Sequence, residues 1–400
     1  MVLSSNSVYR DLSLLSDHPA RTTTATTPKT TMSDQSDPII VIGAGVVGAS
    51  IAWHLTKEKK KDVIIIAGEV GGVVTPKSFS WLNAAGTTTK FYYDFRRRSM
   101  ARWVEMSKEL PDLPIYWGGT LTCDKTPPER TEFHERQQKW GTKIERLGKG
   151  SLAAIEREVD DAQFASAEWG LYVPDEGTIE AHDAAAMLVA DAEARGAKVL
   201  RTTVTGFLRS SDGRRIAGVV TGAGHVRGSH VVVAAGLASV ALLATENIRL
   251  PVKGTEGLIV NTTPSKKRYL NTLLRLPAMH LRQTLDGRIR FAASFSGGPP
   301  GDDPEVTARE LFKQMQKVFK QGHELEFGGF TVGVRPDPED GYPILGSTGL
   351  DGMDVACMHS GVTNAALVGQ LLSKKILYGN EDPMLHSFRL DRFQESRAKL

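Results

Sequence analysis

The chain has 400 residues and only two cysteines, Cys123 and Cys357, far apart in sequence. That excludes a disulfide framework and a cysteine zinc site, and it fits a reducing compartment. Long apolar runs are missing too: no stretch approaches the length that spans a bilayer, so a soluble protein with no membrane partner is expected. The formal net charge is only +3, too small at this length to leave an electrostatic footprint for nucleic acid. No internal repeat is visible. Neither a Ser/His/Asp arrangement nor a pair of carboxylates placed for acid–base work stands out.

What the chain does have begins at Ile39-Ile40-Val41-Ile42-Gly43-Ala44-Gly45-Val46-Val47-Gly48. A β-branched run ends in glycines spaced G-x-G-x-x-G, and Ala49 to Leu55 continues as a helix. Gly43 makes the turn, Gly45 lets a phosphate approach, and Gly48 lets helix and strand pack. Free N–H groups at the helix start then hold a pyrophosphate. The apolar run Val63 to Ile66 completes a βαβ unit. A dinucleotide is expected, NAD or FAD without preference.

Residues 1–37 are Ser/Thr-rich and cannot bury enough apolar surface to offset their ordering entropy, so a disordered tail is expected. A mitochondrial presequence is the alternative, against which Asp11 and Asp17 speak; Met32 offers an alternative start. Further on, Asp94 to Leu110 reads as a helix with Phe95, Met100, Trp103, Val104 and Met106 on its apolar positions. Glu180 to Arg195 is a second, Ala-rich helix stopped at Gly196. Val231 to Gly236 is a buried strand running into small residues. An antiparallel region follows from Val252 to Ala293, then the amphipathic helix Glu305 to Phe319, short strands, and a last helix opening at Gly361. The expected fold class is α/β: a Rossmann-like nucleotide-binding domain from residues 38–92, 165–248 and 330–395, with a β-rich α+β substrate domain from 93–164 and 249–329 inserted discontinuously. Residues 396–400 form a polar tail.

Taken together, the Gly-rich turn Val41 to Gly48, the helix Glu180 to Arg195 before the strand at Val204, the strand end Val231 to Gly236, the segment Val334-Arg335-Pro336 to Gly346, and Met358-His359-Ser360-Gly361-Val362-Thr363 resemble one family. It is the family of FAD-dependent amine and amino-acid oxidoreductases that includes D-amino-acid oxidase, glycine oxidase and monomeric sarcosine oxidase. The resemblance runs from about Pro38 to about Phe393. It implies an FAD-binding domain in which Gly43, Gly45, Val46 and Gly48 hold the pyrophosphate and Val204 meets the adenine through its backbone. Ala235 and Gly236 would line the cofactor, and Lys77 and Ser78 would lie in a loop reaching the flavin. Gly361, Val362 and Thr363 would turn a helix N-terminus toward the flavin pyrimidine, which favours the anionic reduced ring. Arg335 would grip a substrate carboxylate with two parallel bonds. His280 would face the substrate, while His359 reads as structural and His182 with Asp183 as helix-orienting. The implied reaction is oxidation of a C–N bond, with a hydride passing to the flavin and O2 as acceptor giving H2O2; no general base is needed if the amine arrives neutral.

Two departures from the family pattern stand out. The acidic residue that closes the second strand and bonds the ribose falls on Ala67, with Glu69 two residues later. Where sarcosine-oxidase-like members carry a flavin-linking cysteine, this chain has Gly333 or a neighbour, so non-covalent FAD is expected. The final Ala398-Lys399-Leu400 resembles a peroxisomal address, implying an import receptor as partner and a peroxisomal rather than cytoplasmic location. The alternatives are a flavin dehydrogenase feeding a quinone or other carrier, a non-catalytic binding protein that keeps the fold, and an NAD-dependent dehydrogenase.

Overall fold

A computed structural model describes residues 37–395 apart from Lys59, Thr88, Ser166, Ala167 and Phe295. The Ser/Thr-rich leader and the Ala-Lys-Leu end lie outside those residues. The first βαβ unit forms as its pattern dictates: β1 (Ile39–Ala44), α1 (Val46–Lys57) and β2 (Val63–Val70), the two strands parallel and in register from Ile39 opposite Val63. Strand β3 (His230–Val233) pairs parallel with the other side of β1. Met353–Cys357 adds a further parallel strand beyond β3, Ile344–Ser347 closes that edge antiparallel, and Lys198–Leu200 closes the other beside β2.

Strands buried on both faces read as near-continuous apolar runs, and alternate side chains of β1 enter different cores. Ile39 and Val41 pack among helices, whereas Ile40 and Ile42 face a core shared with a small antiparallel sheet containing Ile216 and Val219. The helical layer is α1, α2 (Lys90–Glu109), α3 (Ala181–Ala194) and α4 (Gly361–Tyr378), with α1 against both α3 and α4, and α2 against α4.

The second layer is an eight-stranded, mostly antiparallel sheet. At one edge β4 (Val252–Thr262) pairs along its length with β5 (Phe327–Pro338), followed by Ile289–Ala292, His280–Gln283, Leu273–Arg275, Thr120–Thr122, Trp169–Val173 and Glu145–Gly148. Helix Pro304–Gln316 covers part of it with Ala308, Leu311 and Met315. The segments differ from the expected domain boundaries at three places. Trp169–Val173 and β5 belong to the larger sheet because their backbone partners lie there. Helix α2 belongs with the parallel sheet, because Phe95, Trp103 and Met106 are buried against α1 and α4. Val104, expected on the apolar face, is 38% exposed.

Among the described residues no helix is long and apolar enough to cross a membrane, and no group of His, Cys, Asp and Glu side chains is arranged to hold a metal ion.

Candidate active site

One cavity of about 530 Å³ runs along the C-terminal ends of the parallel strands and is closed on its far side by residues of the larger sheet. Its floor is the β1–α1 turn. Gly43 has φ +103°, and a Cβ there would sit 2.5 Å from the Ala234 carbonyl oxygen. Gly48 points away from the cavity: a Cβ would lie 2.0 Å from the Gly43 carbonyl oxygen, so its part is to bring α1 against the strand, and it touches no ligand space. Gly45 and Val46 line the cavity, with the Val46 N–H donating to Thr75 Oγ1 at 3.2 Å. The first turn of α1 carries no acidic residue, so the positive end of its dipole is left for an anion.

At one end stand Glu69 and Val204. The pattern expected β2 to close at Ala67. Instead β2 runs on to Val70, and a register break opposite Gly43 pairs Ala44 with Val70. The extra residues carry the strand forward, bury Ala67, and leave the exposed Glu69 on the cavity wall, where a carboxylate can accept from sugar hydroxyls.

At the other end the wall is assembled from distant parts of the chain: Lys77 and Ser78, Ala235 and Gly236, Arg335 on β5, and Gly361, Val362 and Thr363 in the first turn of α4. Helix α4 is entered through Ser360 in the left-handed region, φ 58°. Its hydroxyl bonds His359 Nδ1 at 2.8 Å and does not cap the helix, and the first turn has no acidic residue, so the α4 dipole also opens into the cavity. His359 itself lines the cavity; burial and the nearby Arg335 hold its pKa down at about 4, so it is neutral at pH 7. Cys357 is there too, its thiol donating to the Gly236 carbonyl at 3.4 Å and pushed up to about 12 by burial.

Arg335 projects across β4. Its Nη2 donates to the Glu256 carbonyl at 3.2 Å, and its Nε is buried without a hydrogen-bond partner among the described residues. A Cβ on Gly257 would come within 2.1 Å of Nη1, so the guanidinium lies in a slot that only glycine leaves open. Burial pushes its pKa below the usual arginine range, with Asp337 acting the other way. An under-bonded guanidinium facing a cavity is a receptor for a carboxylate.

His280 does not line this cavity. It is buried in the larger sheet with Nε2 3.2 Å from Asp124 Oδ2, an oxygen that also accepts from Arg275 Nη2 at 2.6 Å. The strand alternation places it on the side that carries this charged cluster, so the expected substrate contact is replaced by an internal ion-pair network. His182 is exposed in the first turn of α3, beneath Gly71.

Sequence reasoning missed the wall segment Trp81–Ala85 and what holds it. On one side the buried Glu176 carboxylate accepts from Ala84 N, Ala85 N and Trp81 Nε1 at 3.1–3.2 Å. On the other, Arg96 of α2 donates through Nε to the Asn83 carbonyl (2.8 Å) and through Nη2 to Asn83 Oδ1 (2.9 Å) and Thr363 Oγ1 (3.5 Å). Trp81, Asn83 and Arg96 all line the cavity. The one signal in the sequence was helical phase: Tyr92, Arg96, Ser99 and Trp103 share the buried stripe of α2, which puts an arginine where an apolar residue belongs.

The lining fits a dinucleotide with a flavin: small residues and a helix start free of acidic residues for phosphates, a carboxylate at one end, cations and a second helix start at the other. The model of the family described as FAD dependent oxidoreductase (DAO) matches residues 38–375. Glycine oxidase of Bacillus subtilis is 26% identical over 374 residues, covering 88% of this chain and 96% of its own. A D-amino acid dehydrogenase of Rhizorhabdus wittichii is 24% identical, covering 89% and 100% respectively. Among solved structures, L-proline dehydrogenase from P. horikoshii shares the fold, with TM-score 0.79, 23% identity, and 90% of this chain and 99% of that one covered.

Proposed function

From the premise that the chain belongs to the FAD-dependent oxidoreductase family, and is thus an FAD enzyme acting on the C–N bond of amino acids or related amines, we propose a finer reading: it oxidises a carboxylate-bearing amine and delivers the electrons to O2. The observation that carries it is Arg335, a cavity-lining guanidinium with a buried, unbonded Nε and no ion pair to a carboxylate among the described residues.

The chemistry that FAD would supply when bound is that of a two-electron acceptor for the hydride on the carbon that bears the amine. Gly43, Gly45 and Val46 would hold its pyrophosphate, and Glu69 would bond the adenosine ribose. Arg335 fixes the substrate carboxylate by two parallel bonds, which orients the α-carbon as well as neutralising the charge. Phe79, Trp81 and Ile259, each buried at the cavity wall, exclude water from that end. His359, neutral and hydrogen-bonded to Ser360, adds no second positive charge against an incoming amine. The imine product takes up water to give a carbonyl compound and the free amine, while O2 takes the two electrons with two protons to give H2O2. The thiol of Cys357 is held protonated, a poor nucleophile, which supports non-covalent FAD.

The test is an anaerobic titration of the purified yellow protein with amino acids and N-methylated amines, followed by oxygen uptake with peroxide release. Arg335→Ala should lower kcat/KM for carboxylate substrates at least hundred-fold, about 2.7 kcal/mol, with a far smaller loss for amines lacking the carboxylate. Equal losses remove Arg335 from the substrate, and colourless protein that FAD cannot reconstitute sinks the whole reading. The likeness to a D-amino acid dehydrogenase favours a second acceptor, a quinone or other carrier; bleaching by amines without oxygen uptake selects it.

A further inference from the structure

Resting on that FAD reading, we propose that Arg96 supplies a fixed positive charge and a hydrogen-bond donor to the edge of the bound flavin that gains negative charge on reduction, and so sets how readily the ring takes up electrons. A guanidinium carries five N–H donors. In Arg96 the Nε and Nη2 groups are spent on Asn83 and Thr363, while Nη1 makes no hydrogen bond among the described residues. The side chain is only 6% exposed, yet it lines the cavity and forms no ion pair among the described residues.

The Glu176 carboxylate makes no ion pair with Arg96 and is engaged instead with the amides of Ala84 and Ala85 and the indole of Trp81. Burying a cation costs several kcal/mol unless an opposite charge or a set of acceptors offsets it, and the protein provides only part of that set. The rest has to come from what occupies the cavity. Thr363, which Arg96 touches, stands in the first turn of α4, whose uncapped N-terminus contributes a second positive potential at the same place. Two sources of positive charge therefore converge, one from α2 and one from α4, and neither is the arginine assigned to substrate. A ring that becomes anionic on reduction is stabilised in that state by charge already in position.

The contrary reading makes Arg96 a brace for Asn83 and nothing more. Holoenzymes carrying Arg96→Gln and Arg96→Lys separate the two. Glutamine retains a donor toward Asn83 but no charge, and lysine retains the charge without the fork. The readouts are the midpoint potential of bound FAD against a reference dye and the dissociation constant of sulfite, whose addition leaves the ring anionic. Arg96→Gln is expected to weaken sulfite binding at least tenfold and to lower the two-electron midpoint by about 30 mV or more, the equivalent of tenfold; Arg96→Lys should stay close to wild type in both. Unchanged potential and sulfite affinity in Arg96→Gln, with only a lower melting temperature, overturns the proposal, as does loss of FAD from the lysine variant. Wild-type protein that binds no FAD, or that amines never reduce, defeats the functional reading instead, so the two failures are distinct.

Discussion

The two sheets solve the problem of building an interior in opposite ways. The parallel sheet is mostly apolar: β1 and β3 contribute Ile39, Ile40, Val41, Val231, Val232 and Val233, with the buried Asp354 at its side paired to His230 and Lys375, and its ligand surface is backbone, glycine turns and helix ends. The larger sheet buries charge. Arg282 is 1% exposed, and its guanidinium is bidentate to Glu180 at 2.7 and 3.1 Å, with a third bond from Nε to the Phe79 carbonyl. Arg275, Asp124 and His280 form a second cluster, and the Glu156 carboxylate accepts from the backbones of Asn271 and Thr272. The difference teaches where each sheet gets its uniqueness: side-chain alternation and turn chemistry in one, long-range polar pairing in the other.

The largest effect should come from cutting the link between the two. Glu180 stands at the N-cap position of α3 in the parallel half and Phe79 lines the cavity, so Arg282 ties the larger sheet to both. Arg282→Ala leaves a buried carboxylate unpaired and should cost about 3–5 kcal/mol in chemical denaturation. The double variant Arg282→Met/Glu180→Leu should lose less than the single one; equal or greater loss would mean that the pair is stabilising in its own right.

Next in size is the cofactor end. Removing the Glu69 carboxylate by Glu69→Ala deletes a charged hydrogen bond and should weaken FAD binding by roughly ten- to a hundred-fold, about 1.5–3 kcal/mol, measured by titrating apoprotein. Unaltered affinity would put the ribose elsewhere.

Acid and alkaline loss of stability should trace to different groups. In the parallel half, burial holds His54 at about 3, its Nε2 accepting from Arg102 Nε at 3.1 Å, and burial with Arg335 holds His359 at about 4. A histidine whose folded pKa lies below the unfolded 6.5 gives stability that is complete above that value and is lost as pH falls through the folded one. In the other half burial raises Glu156 to about 7 from 4.5, so its contribution is complete below 4.5 and is lost as pH rises through 7. Urea midpoints measured from pH 4 to 8 should fall at both ends, and Glu156→Gln should flatten only the alkaline limb.

The smallest effect concerns the arginine slot. Gly257→Ala puts a methyl 2.1 Å from Arg335 Nη1 and 2.4 Å from the Ser296 carbonyl oxygen, so the guanidinium must shift. A several-fold rise in KM for carboxylate substrates is expected, together with a lower melting temperature because the Ser296 carbonyl is backbone and cannot move aside as a side chain can; unchanged KM would show that Arg335 keeps its grip from a new position.

This contrast also explains what could be read in advance. The βαβ unit, the helix ending before Gly196, the strand running to Val233 and the helix opening at Gly361 appear within a few residues of their expected places, because local periodicity and glycine chemistry decide them. The cavity residues Gly43, Gly45, Val46, Glu69, Lys77, Ser78, Val204, Ala235, Gly236, Arg335 and Gly361 to Thr363 followed from family resemblance, and all line it. Arg96 and Glu176 were illegible because their partners, Asn83 and the 84–85 amides, are set by packing between segments remote in sequence. His280 misled for the same reason: alternation says that a side chain leaves the sheet, and only the position of Asp124 says toward what.

Arg96 and Arg335, without an ion pair among the described residues, and two helix starts free of acidic residues have a consequence for the life of the chain in a cell. A bound dinucleotide would bring counter-charge to their combined positive potential, and binding it would then add to the stability of the fold. Linkage then ties lifetime to vitamin supply: free FAD at a hundred times its dissociation constant adds about 2.7 kcal/mol to stability. Protein made during flavin scarcity would be degraded faster, and abundance would follow the coenzyme without any change in transcription.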